Sequence, residues 1–197
     1  MTPRPHHLII NVLPIYYFLQ ARSSAREVSR VEIRPLLPGD DRLALSGVYE
    51  ASWRRAYRGI VPQDCLDALP AGRWSGFFDT PGVYTLVAAD GDVYAGTASF
   101  GASRFPEYGG EGELISLYLR PEYAGRGLGR ALLSAALNAL ADMGFDAVFL
   151  WVLEENAAAR AFYERMGFVR GDETLCEEIG GKTLRELRYV RSVKGGV

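Results

Sequence analysis

The chain has 197 residues, 48% apolar and 23% charged, which suits one globular domain whose core needs neither metal nor disulfide. A net charge of −2 argues against a broad nucleic-acid-binding face, which needs a clear excess of cations. Cys65 and Cys176 stand alone, with no CxxC and no neighbouring His, and read as buried structural thiols of a reducing, cytoplasmic compartment.

Residues 1–30 differ from the rest of the chain. A basic start leads into the apolar run Leu8–Leu19, then into a Ser/Ala/Arg-rich stretch; the segment is +3 where residues 31–197 carry −5. Twelve apolar residues are too few to span a bilayer, so no membrane partner is expected. The pattern superficially fits a secretory signal, but Asn11 and Pro14 interrupt it, and the reading is a poorly ordered extension.

From Val31 the elements become regular, and the expected domain runs over 31–191, with a short tail at 192–197. Val31–Pro35 alternates as a strand. Asp40 or Asp41 can cap a helix running to about Tyr57, with short helices after it over QDCLDAL and around Arg73–Phe78. Tyr84–Ala89 and Val93–Phe100 form a hairpin about Asp90-Gly91-Asp92, and Glu113–Leu119 is the next strand. Gly127–Met143 places Leu128, Leu132, Ala136, Ala139 and Met143 on one helical stripe, ended by Gly144. Ala147–Val152 is a strand, Ala157–Met166 a helix closed by Gly167, and Phe168–Thr174 and Leu184–Val190 are two last strands. This order predicts a mixed, mostly antiparallel α/β sheet of about seven strands with flanking helices.

The informative stretch is ELISLYLRPEYAGRGLGR, Glu113–Arg130. A strand and turn lead through Gly125, Gly127 and Gly129 straight into the long helix. The first N–H groups of a helix have no internal partner and carry partial positive charge. Alternate glycines leave those groups open to a ligand, and Arg126 and Arg130 suit a pyrophosphate. A turn that needs positive φ, beside ordinary surface arginines, explains the same residues. A P-loop lysine is missing, and Arg130 and Leu132 stand where a dinucleotide fingerprint would need its third glycine. A nucleotide-dependent oxidoreductase therefore fails on spacing.

LYLRPEYAGRGLGRALL, with LWVLEENAAARAFYERMGF some thirty residues further on, resembles the GNAT superfamily of acetyl-CoA-dependent N-acetyltransferases. The family loop Arg/Gln-x-x-Gly-x-Gly/Ala falls on Ala124–Gly129, with Ala124 replacing the first side chain. The second signature falls on Asn156, Tyr163, Gly167 and Phe168.

The resemblance implies a single GNAT-type domain with a central splayed parallel pair, and acetyl-CoA as co-substrate without a metal. It implies that Glu113 is the general base and Tyr163 the acid for the leaving thiolate, with Glu111 the local competitor for the first role. It places cofactor contacts on Gly125, Arg126, Gly127, Leu128, Gly129, Arg130 and Asn156. Backbone contacts would come from Leu117, Tyr118 and Leu119, splayed from Phe149–Leu153. Asn156 also sits where an N-cap would. The acceptor, a small-molecule or peptide amine, is expected against the first helical region, with Trp53, Tyr57, Trp74, Phe77, Phe78 and residues 104–111 beside it. Trp53 and Tyr57, four apart, suit core as well as a pocket wall, and Glu107, Glu111 and Glu113 suit either a solvated loop or a cationic amine. A homodimer is compatible with the resemblance. No cysteine falls within the motifs, so the expected reaction is direct attack on the thioester. A non-catalytic acyl-CoA sensor on the same fold is the alternative.

Overall fold

The computed structural model describes residues 31–194; the readings for 1–30 and for the last three residues lie outside them. Seven strands form one sheet: β1 Val31–Pro35, β2 Val83–Asp90, β3 Val93–Ala102, β4 Gly112–Leu119, β5 Ala147–Leu153, β6 Val169–Ile179 and β7 Lys182–Ser192, in the spatial order β1-β2-β3-β4-β5-β7-β6. Every neighbouring pair is antiparallel except β4 and β5. The last hairpin is longer than its sequence pattern predicts, with β7 inserted between β5 and β6.

Among the described residues four α-helices cover the sheet: α1 Arg42–Ala56, α2 Gln63–Asp67, α3 Leu128–Asp142 and α4 Ala157–Arg165. Asp41 caps α1, accepting from the backbone N–H of Leu43 and Ala44 at 2.9 and 3.1 Å. The long helix α3 ends at Gly144 (φ 93°), where the N–H of Phe145 reaches the Leu140 carbonyl and that of Gly144 the Ala141 carbonyl. The same pair of bonds closes α4 at Gly167 and Phe168.

Side-chain parity divides the core. Leu86, Ala88, Val148, Leu150, Val152 and Leu187 meet α3 and α4 on one face. Val87 and the partly buried Tyr118 meet Leu45 and Tyr49 of α1 on the other. Three expectations change. Cys65 is only partly buried, and Cys176 is exposed on the edge strand β6, so neither is the buried thiol the sequence suggests. The α3 stripe is completed by Leu133, Leu137 and Leu140, while Met143 is 37% exposed at the helix end, just before the chain turns back over the sheet. The segment around Arg73–Phe78 is a 3₁₀ turn over Ser75–Asp79, drawn onto Tyr49 by Trp74, Phe77 and Phe78.

Candidate active site

The sheet opens at its centre. β4 and β5 pair only at Gly112–Val148 and Glu113–Phe149; beyond these the two strands separate. The backbone of Leu114–Leu119 therefore has no ladder partner on its β5 side, and a groove of about 580 Å³ lies against Leu117, Leu119, Val152, Asn156, Ala159 and Phe162. Against β3, strand β4 carries one extra residue: Ser99 pairs with Ser116 and Phe100 with Leu114, leaving Ile115 as a bulge. The bulge reverses side-chain parity, so Ser116 and Tyr118 share with Glu113 the face that meets α1, whereas Leu114, Leu117 and Leu119 turn to α3.

At the end of β4 the chain passes through a short turn, Pro121–Tyr123, into Gly125 and Gly127 (φ 76° and 82°), and then into α3. Positive φ at both positions is the reason for glycine there. Among the described residues no side chain caps α3, unlike α1 and α4, so its first amides are left open. Arg126 and Arg130 are exposed and form no ion pair among the described residues; Arg126 lies over the Tyr123 ring at 5.8 Å. Leu128 is buried in the core, so only its backbone can face a ligand. Ala124 and Gly129 line the groove.

Asn156 caps α4, its Oδ1 accepting from the Ala159 N–H at 3.1 Å, and also borders the groove. Two turns further along, Tyr163 lines the same groove, with its ring edge-on to Phe162 and Phe168. Burial, and the neighbouring Tyr118 after it, push the Tyr163 hydroxyl well above the usual tyrosine range. That hydroxyl stays protonated at neutral pH, as a proton donor must.

A second cavity, of about 540 Å³, lies on the α1 side, walled by Trp53, Trp74, Phe77, Phe105, Trp151 and Leu175 among others. The two spaces share Tyr57, Leu114, Ile115, Ser116, Tyr118, Trp151, Leu153 and Glu186 as walls, so they meet where the sheet splays. Trp53 and Tyr57 thus serve both as packing and as pocket wall, whereas Phe78 is buried in the α1 core. Tyr118 joins them: its hydroxyl accepts from Trp53 Nε1 at 3.1 Å and lies 3.4 Å from the Tyr57 hydroxyl.

The expected carboxylates are engaged. Glu113 is 1% exposed and borders the second cavity, where its Oε1 and Oε2 accept from Arg104 Nη2 and Nε at 2.7 and 3.0 Å. The Arg104 backbone N–H adds a third bond at 3.1 Å. Glu111 is held by Arg188, whose guanidinium stacks over Tyr108 and Phe149. Glu107 is exposed and outside the cavity wall.

Glu186, which the sequence pattern does not single out, borders both spaces, and its side chain has no hydrogen-bond or ion-pair partner among the described residues. Burial raises its pKa, and Glu177 adds to the rise. Nothing in the local pattern KTLRELRYV distinguishes Glu186; only the β5–β7 pairing, which sets it opposite Leu153, brings it to the junction.

The chain is an acetyltransferase: residues 46–168 match the Acetyltransferase (GNAT) family, to which it belongs. It is 34% identical over 151 residues to an uncharacterized N-acetyltransferase, YuaI, of Bacillus subtilis, covering 75% of this chain and 86% of that one. It is 33% identical over 143 residues to the mycothiol acetyltransferase of Paenarthrobacter aurescens, covering 72% of this chain but only 43% of that longer protein. Solved structures of the same fold include the PaiA N-acetyltransferase of Thermoplasma acidophilum with coenzyme A (22% identical, 82% of this chain and 98% of that one, TM-score 0.64). Another is YncA of Salmonella typhimurium with acetyl-CoA (22% identical, 85% and 96% covered, TM-score 0.65). At these identities the likeness is one of fold. Among the described residues no helix is long and apolar enough to cross a membrane.

Proposed function

We propose that the protein transfers an acetyl group from acetyl-CoA to a primary amine by direct attack in a ternary complex. The observation that carries this reading is the junction of two spaces at the splayed strands, one beside the open α3 amides and one walled by aromatic rings. The solved neighbours that hold coenzyme A and acetyl-CoA favour the same donor here.

In this reading the pyrophosphate lies on the Gly125–Arg130 amides, with Arg126 and Arg130 supplying charge. The pantetheine arm runs along the groove, where the free backbone of Leu117, Tyr118 and Leu119 bonds its amides as a missing strand would. Asn156, whose Oδ1 is spent on its helix, offers the arm its amide N–H. The amine enters from the aromatic cavity and attacks the thioester carbon; the C–S bond breaks and the thiolate takes a proton from Tyr163. Glu113 receives the proton of the attacking amine. For this Arg104, with half its side chain exposed, must release a carboxylate oxygen.

The test is acetyl-CoA-dependent thiol release over a panel of amines, with calorimetry of acetyl-CoA alone. Release with at least one amine and 1:1 binding support the enzyme. Binding without release from any amine supports an acyl-CoA sensor instead.

A further inference from the structure

The chemistry of the second cavity's wall narrows the acceptor. We propose, resting on the acetyl-transfer reading, that the cavity takes a primary amine borne on an aromatic or apolar body, with Glu186 holding its ammonium.

Four observations carry this. The wall is largely rings, Trp53, Trp74, Phe77, Phe105 and Trp151 among them, so a flat apolar body buries most area there. The cavity's hydroxyls are spent on one another: Tyr49 bonds Ser116 at 2.7 Å, and Tyr118 takes Trp53 and Tyr57. The Trp151 N–H has no partner among the described residues but is shut off from solvent. A polyhydroxylated acceptor would therefore lose water and find few replacements. The cation on this wall, Arg104, is already taken by Glu113, so an acceptor bearing a carboxylate or phosphate finds no free counter-charge on the cavity wall itself. Glu186 alone of the wall carboxylates borders both spaces, where an amine would meet the thioester.

Raised basicity at Glu186, from burial and from Glu177, fits a group built to accept an ammonium hydrogen bond. The other titratable or charged side chains on the shared walls and the cavity are Arg104, Glu113, Glu177, Cys176, Tyr49, Tyr57 and Tyr118, with Arg55 and Tyr163 in the groove.

The test uses the full chain and initial rates of thiol release. 2-Phenylethylamine and tryptamine are set against spermidine, glucosamine, glutamate and an alanyl-terminated peptide. The expected result is kcat/KM about 100-fold higher for the aryl amines, within the discrimination an apolar pocket achieves. Glu186→Gln should raise KM for 2-phenylethylamine at least about 10-fold with acetyl-CoA affinity within twofold, and Glu186→Asp should recover part of the loss. A misfolded variant would lose acetyl-CoA binding as well, and the wild-type ranking then decides alone. Faster release with spermidine, glucosamine, glutamate or the peptide overturns the acceptor class and leaves acetyl transfer standing. An unchanged KM in a folded Glu186→Gln overturns the role of Glu186. No release with any amine removes the acetyl-transfer reading and this proposal with it.

Discussion

Arg104 grips Glu113 through both nitrogen arms and its own backbone N–H, at 2.7, 3.0 and 3.1 Å. The carboxylate is buried whereas the arginine is half exposed, so the pair can open only by movement of Arg104. Glu113→Gln should lower kcat/KM by roughly 10²–10⁴ with acetyl-CoA affinity nearly intact. Full kcat in Glu113→Gln together with a collapsed kcat in Glu186→Gln would move the base to Glu186.

Tyr163→Phe keeps the ring against Phe162 and Phe168 and deletes only the hydroxyl. A departing thiolate resembles a free thiol, with a pKa of about 8.5, and leaves without much help. Loss of the donor should therefore lower kcat by roughly 10- to 10³-fold. Acetyl-CoA affinity should change by less than about 1 kcal/mol. Undiminished turnover in Tyr163→Phe would make the hydroxyl structural.

Gly129 is the sharper probe of the phosphate site. A side chain at Gly127 would be strained by its positive φ whether or not a ligand binds, whereas a Cβ at Gly129 meets only Leu119 at 3.4 Å and Phe162 at 3.8 Å. Gly129→Val should weaken acetyl-CoA binding by at least about 1.4 kcal/mol, one decade, with little change in Tm. Calorimetry checks the first and a thermal melt the second; unchanged affinity would remove the pyrophosphate from this helix start.

Asp40 should contribute to stability in acid. Its carboxylate, held first by Arg34 and also by the Leu37 N–H and the Tyr94 hydroxyl, has a pKa lowered to about 2. A depressed carboxylate contributes stability above its unfolded pKa and loses it as pH falls through the folded one. Asp40→Asn should cost about 2 kcal/mol at neutral pH, and the variant's stability should fall less than the wild type's between about pH 4 and 2. Urea melts at several pH values would show parallel curves if Asp40 were unimportant.

Local chemistry makes much of this legible in the sequence. Asp41, Gly144, Gly167 and the Asp90-Gly91-Asp92 turn act within a few residues, and each delimits its element as the sequence predicts. The splayed strands are implied by the motif resemblance and are seen in the pairing of β4 with β5. Features set by distant pairing are not legible. The Ile115 bulge changes which face Ser116 and Tyr118 occupy, and no turn residue announces it. Arg104 and Arg188 occupy the very carboxylates the pattern offers, and Glu186 reaches the junction only because β7 lies beside β5.

Two residue pairs, Gly112–Val148 and Glu113–Phe149, make up the whole ladder between the β1–β4 half of the sheet and the β5–β7 half. A sheet normally exchanges its amide hydrogens fastest at the rim; here slow exchange should be interrupted in the middle, along the β4 edge that faces the groove. A donor that supplies the missing rungs would suture the halves, so its binding should protect amides in both at once and raise the melting temperature with ligand concentration.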